Sequence, residues 1–293
     1  MIFTNIMKVY KDFNLSKISW FKTGGVIKYF YIVENQDDLL YLFNKHRNDK
    51  IITLGACSNV LINDNYIDAV ALKLSGDFNK IFCDNLIVTC GCGASSKDVS
   101  KFAATYSISG LEFLFTIPGT IGGNIRMNAG CYYREIRDIF DSVKVFNMDS
   151  NKIEHWGTSD ISFEYRKISR MPSRNVIFLE AKLTGLYKNS EEILSLMKEM
   201  NQKRLQTQPS GVRTCGSTFK NPDCEYKAWQ LIDMVGLRGF SVGGASFSQD
   251  HCNFIVVKDF ATSSDIENLC NIAIDRVFEQ FSIKLEMEIE RIP

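Results

Sequence analysis

GLEFLFTIPGTIGGNIRMNAG, residues 110–130, sets five glycines among apolar and small residues with almost no charge. A segment so rich in glycine is a poor helix or strand, so it reads as a loop whose backbone takes positive φ or lies close to a ligand. Gly119, Gly122 and Gly123 bracket Thr120, and a nest of consecutive N–H groups there could hold a phosphate or a cofactor's carbonyl oxygens without side-chain charge. Taken alone, a Gly-Gly pair after Pro118 is more often just a turn. The rest of the chain decides between the two.

A second small-residue loop, LGACSNVLI at 54–62, lies between the β-branched run Ile51-Ile52-Thr53 and another apolar run. Strand, tight loop with Ser58 and Asn59, strand is a way to hold a nucleotide's pyrophosphate on backbone N–H groups and short polar side chains. No Walker pattern occurs, and no G-x-G-x-x-G opens a helix after a strand, so a dinucleotide would have to bind on a fold other than the Rossmann type.

With 293 residues, 45% of them hydrophobic, and a formal net charge of zero, the chain can bury more than one core, and no basic excess points to nucleic acid. The opening MIFTNIMKVYKDFNL lacks an apolar core followed by a small-residue cleavage site, and no run of about 18 apolar residues occurs, so neither export nor a membrane span is expected. The expected location is the cytoplasm, with no obligate protein partner. Nine cysteines without C-x-x-C spacing disfavour both a disulfide framework and a zinc site, and three histidines cannot assemble a metal cluster.

Strands are expected at 28–33, 69–74, 86–90, 143–147 and 176–183, and helices at 37–48 and 97–106. The fold class is therefore α+β or mixed α/β. A break at Tyr187-Lys188-Asn189-Ser190, with Asn189 and Glu192 as a helix start, marks the expected main boundary. The clearest helix has Ile266, Leu269, Ala273, Ile274 and Val277 on one face, with Thr262 or Ser263 as its cap.

KTGG at 22–25, LGACSNVLI at 54–62, IPGTIGGNIRMNAG at 117–130, FEYR at 163–166, GSTFKNP at 216–222 and LEMEIERI at 285–292 together resemble the UDP-N-acetylenolpyruvoylglucosamine reductase (MurB) family of peptidoglycan synthesis, in family order along nearly the whole chain. The resemblance implies an α+β protein. Its residues 1–187 would form a two-part FAD-binding region of the PCMH/vanillyl-alcohol-oxidase type, split near residue 75, and 188–293 a smaller α+β substrate-binding domain. It also implies non-covalent FAD, NADPH as hydride donor and an enolpyruvyl sugar nucleotide as substrate. The chain's length and the brief link from FEYR to the next strand match the shorter members, which lack an extra substrate-covering loop.

Residue by residue, the resemblance gives Thr23, Gly24, Gly25, Gly55, Ser58, Asn59, Pro118, Gly119, Thr120, Gly122 and Gly123 to flavin-contacting loops. Several positions depart from the family. Ala56 and Cys57 stand where glycines are frequent, Phe115-Thr116 where Ala-Gly is frequent, and Lys22 where arginine is common. The bulk of Phe115 raises the expectation of an altered flavin contact.

An enol ether bearing a carboxylate accepts hydride poorly unless the developing enolate charge is stabilised, and the resulting carbanion then needs a proton. The resemblance assigns Arg166 and Glu288 to the substrate carboxylate and Ser217 to protonation of the adjacent carbon. It places Arg213, Lys220, Asn221, His251 and Asn253 at the diphosphate, sugar or uracil. Outside the motif each residue has an ordinary alternative: an ion-pairing arginine, a serine in a turn, a structural histidine. Strict alternation through 285–290 would put Glu286, Glu288 and Glu290 on one face, so only the motif selects Glu288. A flavin oxidase of the same cofactor superfamily and a non-catalytic sugar-nucleotide binder are the rival readings, the second having no use for a reductive acid set.

Overall fold

The structure, a computed structural model, describes residues 7–293. Residues 1–6, part of the opening read above as carrying no export signal, lie outside the described residues. Among those described, no helix is long and apolar enough to cross a membrane. The chain divides into two compact units. One holds residues 7–10, Tyr29–Ala56 and Ala69–Lys203, and the other holds Lys11–Lys28, Cys57–Asp68 and Arg204–Pro293.

The centre of the first unit is a five-stranded antiparallel sheet in the order Lys152–Gly157, Phe140–Asn147, Val176–Thr184, Ile87–Gly91, Ile81–Asp84. Its alternating apolar positions are buried, Val143, Val145, Leu179, Ala181 and Leu183 among them. The expected strands fall within one to three residues of the observed ones. Helix α1 spans Gln36–Lys45, with the Asn35 side chain accepting from Asp38 N, and α2 spans Ser96–Thr105, with Ser95 doing the same for Asp98. Each cap satisfies an N–H that helix geometry leaves without an internal partner.

The expectation of a continuous loop over 110–130 is corrected. Glu112–Phe115 is a 3-10 turn, and Ile121–Arg126 is a short helix, α3, with Gly122 and Gly123 inside it. Thr120 caps α3 through Gly123 N, and the helix is tethered by Ile121 N to Ala94 O (3.0 Å) and Gly122 N to Cys92 O (2.9 Å). A Cβ on Gly122 would lie 3.2 Å from both the Cβ and the carbonyl oxygen of Cys92, so close packing favours glycine there. The anion nest is corrected as well. The N–H groups of residues 121 to 124 all bond within the protein, Asn124 N to Thr120 O included.

The expected boundary at 187/188 falls inside the first unit, which runs on to Lys203. The reason is α4, Ser190–Thr207, which buries Ile193 and Met197 against Ala104 and Phe115 of the same unit. Asn189 does accept from Glu191 N at its start, while Glu192 pairs with Lys188 instead of closing a capping box. Phe115 thus packs under α4, and Thr116 Oγ1 donates to Phe113 O (3.0 Å), so this departure from the family is absorbed by packing. Nearest to the expected split at residue 75, the chain passes from the second unit back to the first between Asp68 and Ala69.

The second unit recruits two N-terminal segments. Asp64 accepts from Gly24 N (3.0 Å), Ser263 N (2.6 Å) and Ser263 Oγ (2.8 Å), and Val60–Ile62 pairs in parallel with Glu290–Ile292. Its core gathers Phe21, Leu61 and Phe219 with helix α5, Ala228–Met234, and helix α6, Ser263–Phe281. The stripe expected on α6 is buried, with Ile274 at its margin, and Thr262 forms a full capping box with Asp265. All nine cysteines are free. Burial pushes the Cys90, Cys215 and Cys270 thiols up to about 12, which makes them inert packing groups.

Candidate active site

The two glycine loops of the first unit meet. Gly55 approaches Thr120 so closely that a Cβ on it would stand 2.6 Å from Thr120 Oγ1. Gly55, Thr120, Gly122 and Gly123, drawn from two motifs some 65 residues apart in sequence, line one cavity of about 300 Å3, at the lower end of small-molecule sites. Arg126 and Arg174, which the sequence reading did not select, also line it, and no acidic side chain does. Pro118 and Gly119 stand just before α3. Gly119, at φ 127°, presents its carbonyl to Ser96 N and Oγ, both at 3.1 Å.

The remaining loop residues are in the second unit. Gly24 N and Gly25 N are engaged by Asp64 Oδ1 and Asn63 O, while Thr23 Oγ1 is buried and without a hydrogen-bond partner. Asn59 Nδ2 donates to Glu288 O (2.9 Å), tying this loop to the terminal motif. Ser58 lies beside Cys57, a buried non-glycine residue at φ 54°, so the change from glycine there carries backbone strain. Lys22 turns its ammonium to Lys17 O (3.1 Å).

Arg166 is in the first unit, at the tip of a hairpin formed by Ser162–Glu164 and Lys167–Arg170. Its φ of 57° is unusual for a long side chain, a strain that marks functional positions. The guanidinium lies 4.8 Å from the Tyr165 ring centroid and donates to Gly130 O (2.8 Å). Asn128, fully buried at φ 41°, holds the same hairpin: its Nδ2 donates to Glu164 O (2.9 Å) and to Glu135, and its Oδ1 accepts from Arg137 N (3.0 Å). The MNAG motif therefore positions Arg166 from two sides. An asparagine in a glycine-rich run, tolerant of positive φ, was the signal for it.

Next to this anchor, Gly130–Cys131 and Arg134–Glu135 form a hairpin whose two-residue turn is Tyr132-Tyr133, at φ 52° and 63°. Such turns favour Asn-Gly, and Tyr133 is fully exposed. Tyr133→Gly is expected to raise stability by about 0.5–1 kcal/mol, the left-handed strain relieved less the entropy of glycine. A denaturant midpoint unchanged or lowered would show that the turn stores no strain.

In the second unit, the segments that carry Ser217 and Glu288 pair through their backbones. Glu288 N donates to Thr218 O (2.8 Å) and Lys220 N to Glu286 O (2.9 Å), with Phe219 bridged to Met287. Ser217 follows Gly216 at φ 78°, is half-buried, and has no side-chain partner among the described residues. Glu288 is half-buried while Glu286 and Glu290 are exposed, so the structure separates three glutamates that alternation alone left equivalent.

Asn253 corrects an expectation. Its buried amide accepts from Phe219 N (2.9 Å) and donates to Phe219 O (2.8 Å), and its carbonyl accepts from Thr218 N (2.7 Å), so it is a scaffold of the Ser217 segment instead of a substrate contact. Asn221 Oδ1 accepts from Ala228 N at the start of α5. Lys220 faces Glu286 at 3.4 Å, and Arg213 pairs with Asp259.

His251 packs edge-on against Phe254 (4.8 Å) and accepts at Nδ1 from Asn253 N (3.2 Å), which leaves Nε2 as a donor. Burial, helped by the Arg238 charge, holds its pKa below the usual histidine value. A lowered folded pKa means the unfolded chain binds the proton more readily. The contribution is present above the unfolded value of about 6.5 and is lost as pH falls through the folded one. His251→Gln is expected to flatten the acid-side fall of stability below about pH 6.5. Parallel wild-type and variant curves would exclude this origin.

The model for the C-terminal domain of UDP-N-acetylenolpyruvoylglucosamine reductase matches residues 208–292, and an FAD-binding-domain model matches residues 28–155. A protein named UDP-N-acetylenolpyruvoylglucosamine reductase from Orientia tsutsugamushi (strain Ikeda) is 44% identical over 96% of this chain and 93% of its own. One of the same name from Rickettsia massiliae (strain Mtu5) is 41% identical over 96% and 95%. The crystal structure of UDP-N-acetylenolpyruvylglucosamine reductase (MurB) from Thermus caldophilus superposes with a TM-score of 0.84 at 30% identity, covering 98% of this chain and all of that one. By sequence and by fold, the chain belongs to the UDP-N-acetylenolpyruvoylglucosamine reductase family.

Proposed function

We propose that Arg166, Ser217 and Glu288 carry the chemistry of an NADPH-dependent, FAD-containing reductase that converts UDP-N-acetylglucosamine enolpyruvate to UDP-N-acetylmuramate for peptidoglycan synthesis in the cytoplasm. The observation that supports the residue assignment is the pairing of the Thr218 and Glu288 backbones, which brings the segment of a partner-free serine alongside the one sheltered glutamate of the terminal motif. The residues present fit FAD: the Gly55 and Thr120 loops meet over a cavity without acidic lining, and Thr23 offers a buried, unpartnered hydroxyl. Thr23, Gly24, Gly25, Gly55, Ser58, Asn59, Pro118, Gly119, Thr120, Gly122 and Gly123 would hold it, the last two by allowing close approach. When bound, FAD supplies a two-electron carrier that accepts hydride from NADPH and passes it to the enolpyruvyl double bond.

The chain's own residues do the rest. Arg166, oriented by Gly130 O and the Tyr165 ring, brings a planar, permanently charged fork to the substrate carboxylate as enolate charge develops. Glu288, carrying its proton, hydrogen-bonds the same carboxylate without repelling it. Ser217 Oγ gives its proton to the adjacent carbon and recovers one from solvent. Arg213, Lys220, Asn221 and the Nε2–H of His251 offer cations and donors to the diphosphate and sugar.

Pure protein should be yellow. Anaerobic NADPH should bleach it, and the enolpyruvyl sugar nucleotide should restore the colour without oxygen. Colour restored by oxygen at a comparable rate, with no response to the sugar nucleotide, would favour an oxidase and overturn the reading.

A further inference from the structure

Asp64 joins two elements of the second unit that are far apart in the chain. Its Oδ1 accepts from Gly24 N (3.0 Å), and its Oδ2 accepts from Ser263 N (2.6 Å) and Ser263 Oγ (2.8 Å) at the start of α6. The stretch Lys22–Gly25 is held at its ends by backbone bonds, Lys22 N to Ser19 O (3.2 Å) and Gly25 N to Asn63 O (2.7 Å). Between those ends, the Gly24 N–H goes to the Asp64 carboxylate. That N–H and the Thr23 carbonyl share one planar peptide, so fixing the first also fixes the direction of the second and restricts rotation at Thr23. Gly24, at φ 123°, has little steric preference of its own to hold the arrangement. A Cβ on it would stand 2.9 Å from the Ile62 Cβ, so a stiffer residue does not fit and the restraint has to come from outside the loop. Thr23 is 4% exposed, and its Oγ1 has no hydrogen-bond partner among the described residues. A buried hydroxyl left unpaired is costly, and a bound group that supplies the partner removes the cost.

We propose that Asp64 is a positioning residue for the cofactor, holding the Gly24 peptide so that the Thr23 hydroxyl keeps the direction in which FAD meets it. The inference rests on the reading that the Thr23–Gly25 loop contacts FAD. The carboxylate has two separable tasks: Oδ1 serves the loop, and Oδ2 serves α6, where negative charge in the first turn also favours the helix. Asparagine can keep the first task, with its amide oxygen on Gly24 N and its amide N–H toward Ser263 Oγ, while it gives up the charge and the bond to Ser263 N. Alanine gives up both.

The test uses full-length protein reversibly stripped of flavin and titrated with FAD by flavin fluorescence, alongside melting of each apoprotein. Asp64→Ala should weaken FAD about tenfold, as expected for loss of a charge-assisted restraint on a contact loop. Asp64→Asn should stay within about threefold of wild type, although both variants lower the apoprotein melting temperature through α6. Amide exchange supplies a reading on the unaltered protein: the Gly24 N–H should be protected in wild-type apoprotein and exchange freely in Asp64→Ala. FAD affinity within threefold of wild type in Asp64→Ala, an equal loss in the alanine and asparagine variants, or a Gly24 amide unprotected in wild type would overturn the proposal. Thr23→Val separates this inference from the reading beneath it. If it weakens FAD while Asp64→Ala binds normally, the positioning role fails alone. If it binds FAD as wild type does, Thr23 is no cofactor contact and the positioning role falls with that reading.

Discussion

Ser217→Ala should leave FAD bound and bleached by NADPH at the wild-type rate, while slowing return of the colour on adding the enolpyruvyl sugar nucleotide by about 10²–10⁴-fold. The split between the half-reactions follows from where the hydroxyl sits. Its backbone neighbours are fixed independently of it, Thr218 by Asn253 O and Glu288 N, and Phe219 by both ends of the Asn253 amide. Removing an oxygen that makes no internal bond should therefore cost little stability. The adjacent hydroxyl provides a control. Thr218 Oγ1 is fully buried without a partner, so Thr218→Val should be neutral or stabilising and keep turnover. Ser217→Ala turnover within a few-fold of wild type would remove Ser217 as proton donor.

Elements whose determinants are local were legible in the sequence. Helix α6 announces itself by a Thr-x-x-Asp cap and an apolar stripe, and the strand Val176–Thr184 by its β-branched run. The residues that hold the site in place were not legible, because their roles depend on partners distant in the chain. Asn128 reaches the Glu164 carbonyl, Asn59 the Glu288 carbonyl and Asn253 the Phe219 amide, and an asparagine looks the same in sequence whether it meets a ligand or a backbone. The division of the chain was misplaced for the same reason. A helix beginning after a compositional break suggested a new domain, but Ile193 and Met197 of α4 pack on Ala104, almost 90 residues earlier in the chain. Glycine content misled at α3, since Gly122 sits within the helix where Cys92 approaches closely, and not in a turn.

Glu288→Gln is expected to bind the sugar nucleotide nearly as well as wild type while turnover falls more than about tenfold, a loss of about 1.4 kcal/mol or more in transition-state stabilisation. Glutamine keeps the shape and a donor but cannot carry an acidic proton to a developing enolate. The neighbouring glutamates make the comparison sharp, because all three have the same chemistry and only their surroundings differ. Glu286 is an exposed partner of Lys220 at 3.4 Å, an ion pair worth at most about 1 kcal/mol at a surface. Glu290 is exposed on the strand that pairs with Val60–Ile62, its N–H bonded to Asn59 O. Glu288 alone is sheltered, with its N–H held by Thr218 and its carbonyl by Asn59, so its side chain has a fixed origin close to Ser217. Glu286→Gln and Glu290→Gln should accordingly change turnover by less than about threefold, a few tenths of a kcal/mol. If the large defect appeared at Glu286 or Glu290 instead, the acid would lie on a different residue of the LEMEIERI strand, and the backbone bond between Glu288 and Thr218 would be scaffolding alone.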